Sequence, residues 1–212
     1  MSLSEFPGGE RNEGINGVVV GIVTANKDPE NMGRVRVTFP WMEDAGPSYW
    51  ARTATMMAGP DRGTYFLPEI EDEVLVAFEA GDVNHPYVLG ALWNGQEAPP
   101  ADNADGANNI RTIRSRNGHQ VTFDDGDQGG SVEVATSGGR RIALDDSSGS
   151  ERIVIEDGQN SIEVDSTGGS VSITGAGMVN VQAPAIELKG DGNVTIEASG
   201  ILTLKGSMVT IN

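Results

Sequence analysis

The chain has 212 residues, no cysteine, and 14 basic against 31 acidic side chains, for a formal net charge of −17. That length admits one large domain or two small ones, and the missing cysteines exclude a disulfide framework and any thiolate metal site. No apolar run approaches the roughly 18 residues of a membrane-spanning helix, and the polar, acidic start carries no apolar core of a secretory signal.

The acidity is spread over both halves, with 6 basic and 15 acidic residues in 1–100 and 8 and 16 in 101–212. Both halves repel phosphate backbones, so nucleic acid is not expected as a partner. Only Lys27, Lys189 and Lys205 are lysines, a balance that suits a soluble, self-repelling surface and that a halophile also uses. Other residue types divide sharply at Pro100. Residues 1–100 hold 9 of the 10 prolines and 10 of the 11 aromatics, while 101–212 hold 17 of the 29 glycines. The boundaries expected are an N-terminal arm over 1–14, a β-barrel over 15–100, a linker or neck over 101–125 and a repetitive β domain over 126–212.

From Ile15 the first half reads as short strands between turns. The β-branched run Gly17–Val23 ends at Asn26–Pro29, and Arg34–Phe39 alternates polar and apolar before Pro40. Tyr49–Ala54 alternates again, Gly59–Gly63 is a turn, and Thr64–Leu67 runs into Pro68. Glu73–Glu79 and Pro86–Trp93 are the last two strands. Five or six strands in so short a stretch, with no helical period, predict a small closed barrel, OB-type first and SH3-like second. Trp50, Phe66, Phe78 and Trp93 are expected to fill its interior.

The ordered series Gly33–Pro40, Trp50–Arg52, Ala58–Phe78 and Gly81–Gly95 resembles the OB-fold domain of contractile-tail spike proteins. That group includes the phage baseplate assembly protein V family and the VgrG spikes of type VI secretion. The resemblance implies a structural spike with no enzymatic activity and no cofactor. It also implies seating on a baseplate hub, and assembly in the cytoplasm as part of a phage tail, a type VI-like machine or an extracellular injection system. On firing, such a spike punctures the target envelope and is delivered outside the cell. Because the barrel begins near Ile15, the hub is expected to be a separate protein.

In the second half an apolar–x–apolar pair recurs from Val121/Phe123 to Val209/Ile211, with first members 11, 10, 11, 9, 9, 8, 7, 8, 8 and 7 residues apart. Short strands divided by Gly or Asp turns at a short period are a solenoid signature. A single-chain β-helix normally buries larger side chains and needs capping. Three chains forming a narrow triangular prism better suit a stretch with one aromatic, Phe123, and leave no free edge. The resemblance points the same way, to an intertwined trimeric β-helix, and the shortening period reads as a taper toward a needle.

No catalytic or metal-binding set emerges. His85 and His119 lie in separate turns, no nucleophile or phosphate-loop motif occurs, and Asp124–Asp127 lacks the spacing of an EF-hand loop. The C-terminal residues Met208, Val209, Ile211 and Asn212 contain no His pair to bind iron as in some related spike tips. They are expected instead to meet a separate PAAR-like tip protein. The alternatives are a monomeric β-helix interaction module and a polysaccharide-active β-helix, the latter needing a carboxylate pair on one face.

Overall fold

A computed structural model describes residues 14–42 and 46–211. The chain is all-β, as expected, and divides into two compact units between Ala104 and Asp105. The arm expected over 1–14 lies almost wholly outside the described residues.

The first unit contains β1 (Val18–Ala25), β2 (Arg36–Thr38), β3 (Arg52–Thr53), β4 (Ala58–Gly59), β5 (Arg62–Gly63), β6 (Glu73–Phe78) and β7 (Pro86–Ala91). Five of them form a sheet in the order β2-β1-β6-β7-β3, in which only β3 and β7 run parallel. A bridge between Val35 and Ala51, bonded in both directions at 3.0 and 2.7 Å, returns β3 to β2 and closes the ring. That order, with its one parallel pair, is the five-stranded OB topology. The hairpin β4–β5 stands apart from the ring as a sheet of its own.

Period-two alternation determines what fills the barrel. Val23, Val35, Val37, Ala51, Val74, Val76 and Val88 point inward and are buried, with Phe39 and Phe78 the only aromatics among them. Their rings meet at 5.5 Å between centroids. Gly21 on β1 makes room for them, since a Cβ there would stand 3.4 Å from the Phe39 ring and 3.3 Å from Val76.

Of the four aromatics expected inside, only Phe78 is buried there, and the core is built on valine. Trp50 neighbours the inward Ala51, so parity turns it to the outer surface beneath Arg36. Phe66 follows the detached hairpin and is 67% exposed, while Trp93 lies past the end of β7 and is 71% exposed. An interior formed by short twisted strands accepts compact β-branched side chains more readily than rings.

One charged group is buried beside the barrel. The Asp28 carboxylate accepts bonds from Arg34 Nε (2.9 Å) and Nη2 (2.7 Å) and from the amides of Glu30 and Met32. The Arg34 guanidinium holds its pKa far below the usual carboxylate range.

The second unit is one antiparallel meander of β8 (Ile110–Arg114), β9 (Gln120–Asp124), β10 (Ser131–Ala135), β11 (Arg141–Asp145), β12 (Arg152–Glu156), β13 (Ser161–Asp165) and β14 (Ser170–Thr174). β8 falls within the expected neck because Ile110 and Ile113, three residues apart, show no alternation, whereas β9 at its end carries the first apolar pair, Val121/Phe123. Each connection from β8 to β14 carries a glycine at positive φ: Gly118, Gly129 with Gly130, Gly139, Gly149, Gly158 and Gly169. The six repeats from Val121 to Ile173 therefore reverse at every turn instead of advancing around an axis. Spacings of 9 to 11 residues accommodate a five-residue strand plus a reversing turn. Beyond Thr174 the spacing drops to 7 or 8, no described glycine has positive φ, and the described residues form no strand. The smooth taper expected from the sequence is thus a step between two regimes.

Truncating Val76 to Ala in the barrel should cost about 2 kcal/mol, read as a fall of about 10 °C in the melting temperature of the first unit. Asp28 supplies an acid limit. A lowered carboxylate pKa stabilises the fold above the unfolded value near about 4, and that contribution is lost as the pH falls below it toward the native value. Asp28→Asn should therefore lower the melting temperature at pH 7, and the gap from the parent should close as both are melted at progressively lower pH.

Candidate functional site

In the meander, each strand sends its second and fourth residues to one face and the others to the opposite face. Register aligns them into two apolar rows. One runs Val121, Val134, Ile142, Ile155, Ile162 and Ile173, and the other Phe123, Val132, Leu144, Ile153, Val164 and Val171. The rows stay partly open, and Gly175, Met178 and Val179 of the following segment line one cavity together with Val134, Ile142, Ile155, Ile162 and Ile173 of the first row. From Val134 to Ile162 the large members are a uniform 43–47% exposed, with their bases packed against each other and their tips open. A two-row aliphatic ladder of this kind exceeds the scattered apolar residues normal on a monomer's surface.

The opposite face is finished. Arg141 on β11 reaches Glu156 on β12 at 2.8 Å and Glu133 on β10 at 3.2 Å, and Arg152 approaches Asp145 at 3.6 Å. This lattice of charges shelters Ala143 and Val154, the two buried apolar residues of the unit. The Arg141 pKa is raised, chiefly by its bond to Glu156. At the β12–β13 turn, Asp157 accepts the amides of Gln159 and Asn160, and the Asn160 bond leads in lowering its pKa to about 2.

The acidic residues singled out in the sequence are occupied in turns and pairs. Asp124 accepts the Gly126 amide, Asp125 pairs with Arg111, and Asp145 accepts the Ser147 amide. Glu133 and Glu163 occupy one row on the charged face but are three strands apart. That is about 14 Å at the usual strand spacing, too wide for a glycosidase pair. His85 lies 3.0 Å from Asp82, and His119 accepts the Ser137 amide at 3.3 Å. No group of three metal-ligating side chains occurs among the described residues. Met208, Val209 and Ile211 are exposed, outside any strand. Asn212 lies outside the described residues.

On the barrel, Arg34, Arg36, Trp50 and Arg52 share the outward face of the β2–β3 side. Arg36 and Arg52 lie over the rings of Trp50 (5.2 Å) and Tyr87 (5.6 Å). The strand register brings these rings and guanidiniums together.

Residues 19–93 match the Type VI secretion system/phage-baseplate injector OB domain. The barrel is similar to that domain, and the chain's similarity to VgrG spike proteins extends past it. The chain is 25% identical over 162 residues to the type VI secretion system spike protein VgrG1a of Pseudomonas aeruginosa, covering 74% of this chain and 23% of that one. It is 27% identical over 130 residues to VgrG3 of Vibrio cholerae, covering 59% of this chain and 11% of the relative. Identity rises to 36% over 75 residues with VgrG2a of P. aeruginosa, covering 34% of this chain and 9% of the relative. The chain thus spans less than a quarter of the length of these relatives.

Replacing Arg141 with Ala should destabilise the second unit by about 1 kcal/mol or less, because its ion pairs are partly solvated. Thermal unfolding in 1 M salt should narrow the difference from the parent chain.

Proposed function

We propose that this protein is the structural spike of a contractile injection apparatus, working as a homotrimer whose second unit forms the needle. The observation that carries this reading is the open two-row apolar face of the meander on a chain that also bears an injector-type OB domain. In the proposed assembly each meander is one wall of a three-sided prism, with its aliphatic rows inward and its Arg–Glu lattice toward water. Residues 175–211 keep the apolar pairs but lack reversing turns, so their strands pair with other copies and wind around the common axis. Every strand edge then has a neighbour, and no chain peels away alone under axial load.

The role is mechanical. The barrels seat on the baseplate hub, assembly takes place in the cytoplasm, and sheath contraction drives the needle through the target envelope. The apolar end at Met208, Val209 and Ile211 takes a separate PAAR-like cap, with Asn212 at the same contact. A charge of −51 distributed over the trimer keeps the rod soluble and repels nucleic acid.

Light scattering on the full chain should give about 67 kDa, three times its 22.2 kDa. A mass of 22 kDa would return the chain to a monomeric β-helix module, and about 44 kDa would mean two sheets packed face to face. Ile155→Asp, which places a charge in the closed core, should abolish the trimer. Glu163→Gln on the opposite face should leave the mass unchanged.

A further inference from the structure

The outward β2–β3 face of the barrel is a local exception in an acidic chain. Among the described residues four arginines pair with carboxylates: Arg34 takes Asp28, Arg111 takes Asp125, Arg141 takes Glu133 and Glu156, and Arg152 takes Asp145. Arg36 and Arg52 make no such pair among the described residues and lie over Trp50 and Tyr87. Stacking fixes a guanidinium in place while leaving its N–H edge able to bind a carboxylate in two-point fashion.

A complementary feature stands on the same barrel. Between Pro68 and β6 the chain makes a tight acidic turn fastened to β1. Glu71 N–H donates to the Val23 carbonyl at 2.8 Å, and Val23 N–H to the Asp72 carbonyl at 3.0 Å. The Asp72 carboxylate accepts the Glu69 amide at 2.7 Å. This scaffold holds Glu71 at φ 79°, a left-handed conformation that costs a residue with a Cβ and persists only where the surroundings enforce it. Its exposed carboxylate pairs with no cation among the described residues. β1 separates the turn from Arg36, and β1 with β2 separates it from Arg52, so neither meets Glu71 within one barrel.

We infer that the barrels of neighbouring copies join head to tail, the Glu71 turn of one docking against the Arg36 and Arg52 edge of the next. This rests on the trimer proposed above, which holds three barrels at high local concentration. A contact between two different patches, repeated around a three-fold axis, closes into a ring. It places three carboxylates against three arginine pairs and so offsets part of the repulsion among strongly acidic copies. The competing surface is aliphatic: Val18 and Val20 on β1 with Leu89 on β7, also outward and exposed.

The cysteine-free sequence permits a direct test on the full chain. Tyr49→Cys with Ile70→Cys places one unique thiol beside each proposed surface, both at exposed positions, and leaves Arg36, Arg52 and Glu71 intact. A short bis-maleimide should join them into covalent trimers, because each copy then has a link to both neighbours. Either single variant should stop at dimers. Adding Arg36→Glu to the double variant, or raising the salt to 1 M, should lower the trimer yield several-fold. A 67 kDa assembly that gives no covalent trimer would overturn the ring contact and leave the spike reading standing. Trimers formed through Val20→Cys with Leu89→Cys instead, or a yield indifferent to both charge and salt, would overturn it equally. A 22 kDa species would remove the trimer itself, and the ring with it.

Discussion

The second unit depends on one constraint, the need to cover a flat ladder of aliphatic side chains. Twelve positions from β9 to β14 point the same way, and strand register aligns them into two rows. Among the described residues they lean mainly on each other, with Met178 and Val179 beside one row. On the opposite face Arg141 and its two glutamates roof Ala143 and Val154. That asymmetry separates an interior surface from an outer one before any partner is considered. It is the reason an assembly fits this unit better than a free-standing sheet, whose exposed rows would invite aggregation.

The barrel solves the opposite problem. Its ring is closed by the Val35–Ala51 bridge, and its core is complete within one chain. Its outer surface is where features go unused: an arginine–aromatic edge, a strained acidic turn and an aliphatic patch. A unit that folds alone and presents several distinct faces is suited to sit among neighbours, whereas a unit with an open core face must have them. The contrast in composition at Pro100 follows these two architectures. Proline and aromatics punctuate and decorate a barrel, while glycine and β-branched residues serve the hairpins of a meander.

The glycines also mark a change of architecture within the repeat. Up to Gly169 a positive-φ glycine reverses the chain at each connection, and after it the apolar pairs continue without one. A reversing chain builds its own sheet. A chain that keeps its strand pattern but cannot reverse must find its hydrogen bonds elsewhere. The lengths of the repeats carry this distinction, but it becomes visible only when each turn is seen to have a backbone conformation.

Much was legible from the residues alone. Alternation placed five of the seven barrel strands but also read one at Thr64–Leu67 that does not form. The ordered turn and strand motifs pointed to an injector-type OB domain, and the apolar pairs located β9 to β14. These features are local: period two and glycine or proline punctuation act within a few residues. What failed in the sequence was non-local. Trp50 turned outward through the parity of Ala51, Phe66 and Trp93 fell outside the ring, and β8 was hidden in an expected neck. The Arg36–Trp50 and Arg52–Tyr87 stacks and the fastening of the Glu71 turn to β1 join residues from separate strands. The sequence by itself determined that the chain is a barrel followed by a repetitive β domain, because those patterns are written in neighbouring residues. Only the tertiary structure decided which face of each strand is inside and which stays open, because that depends on register between distant segments.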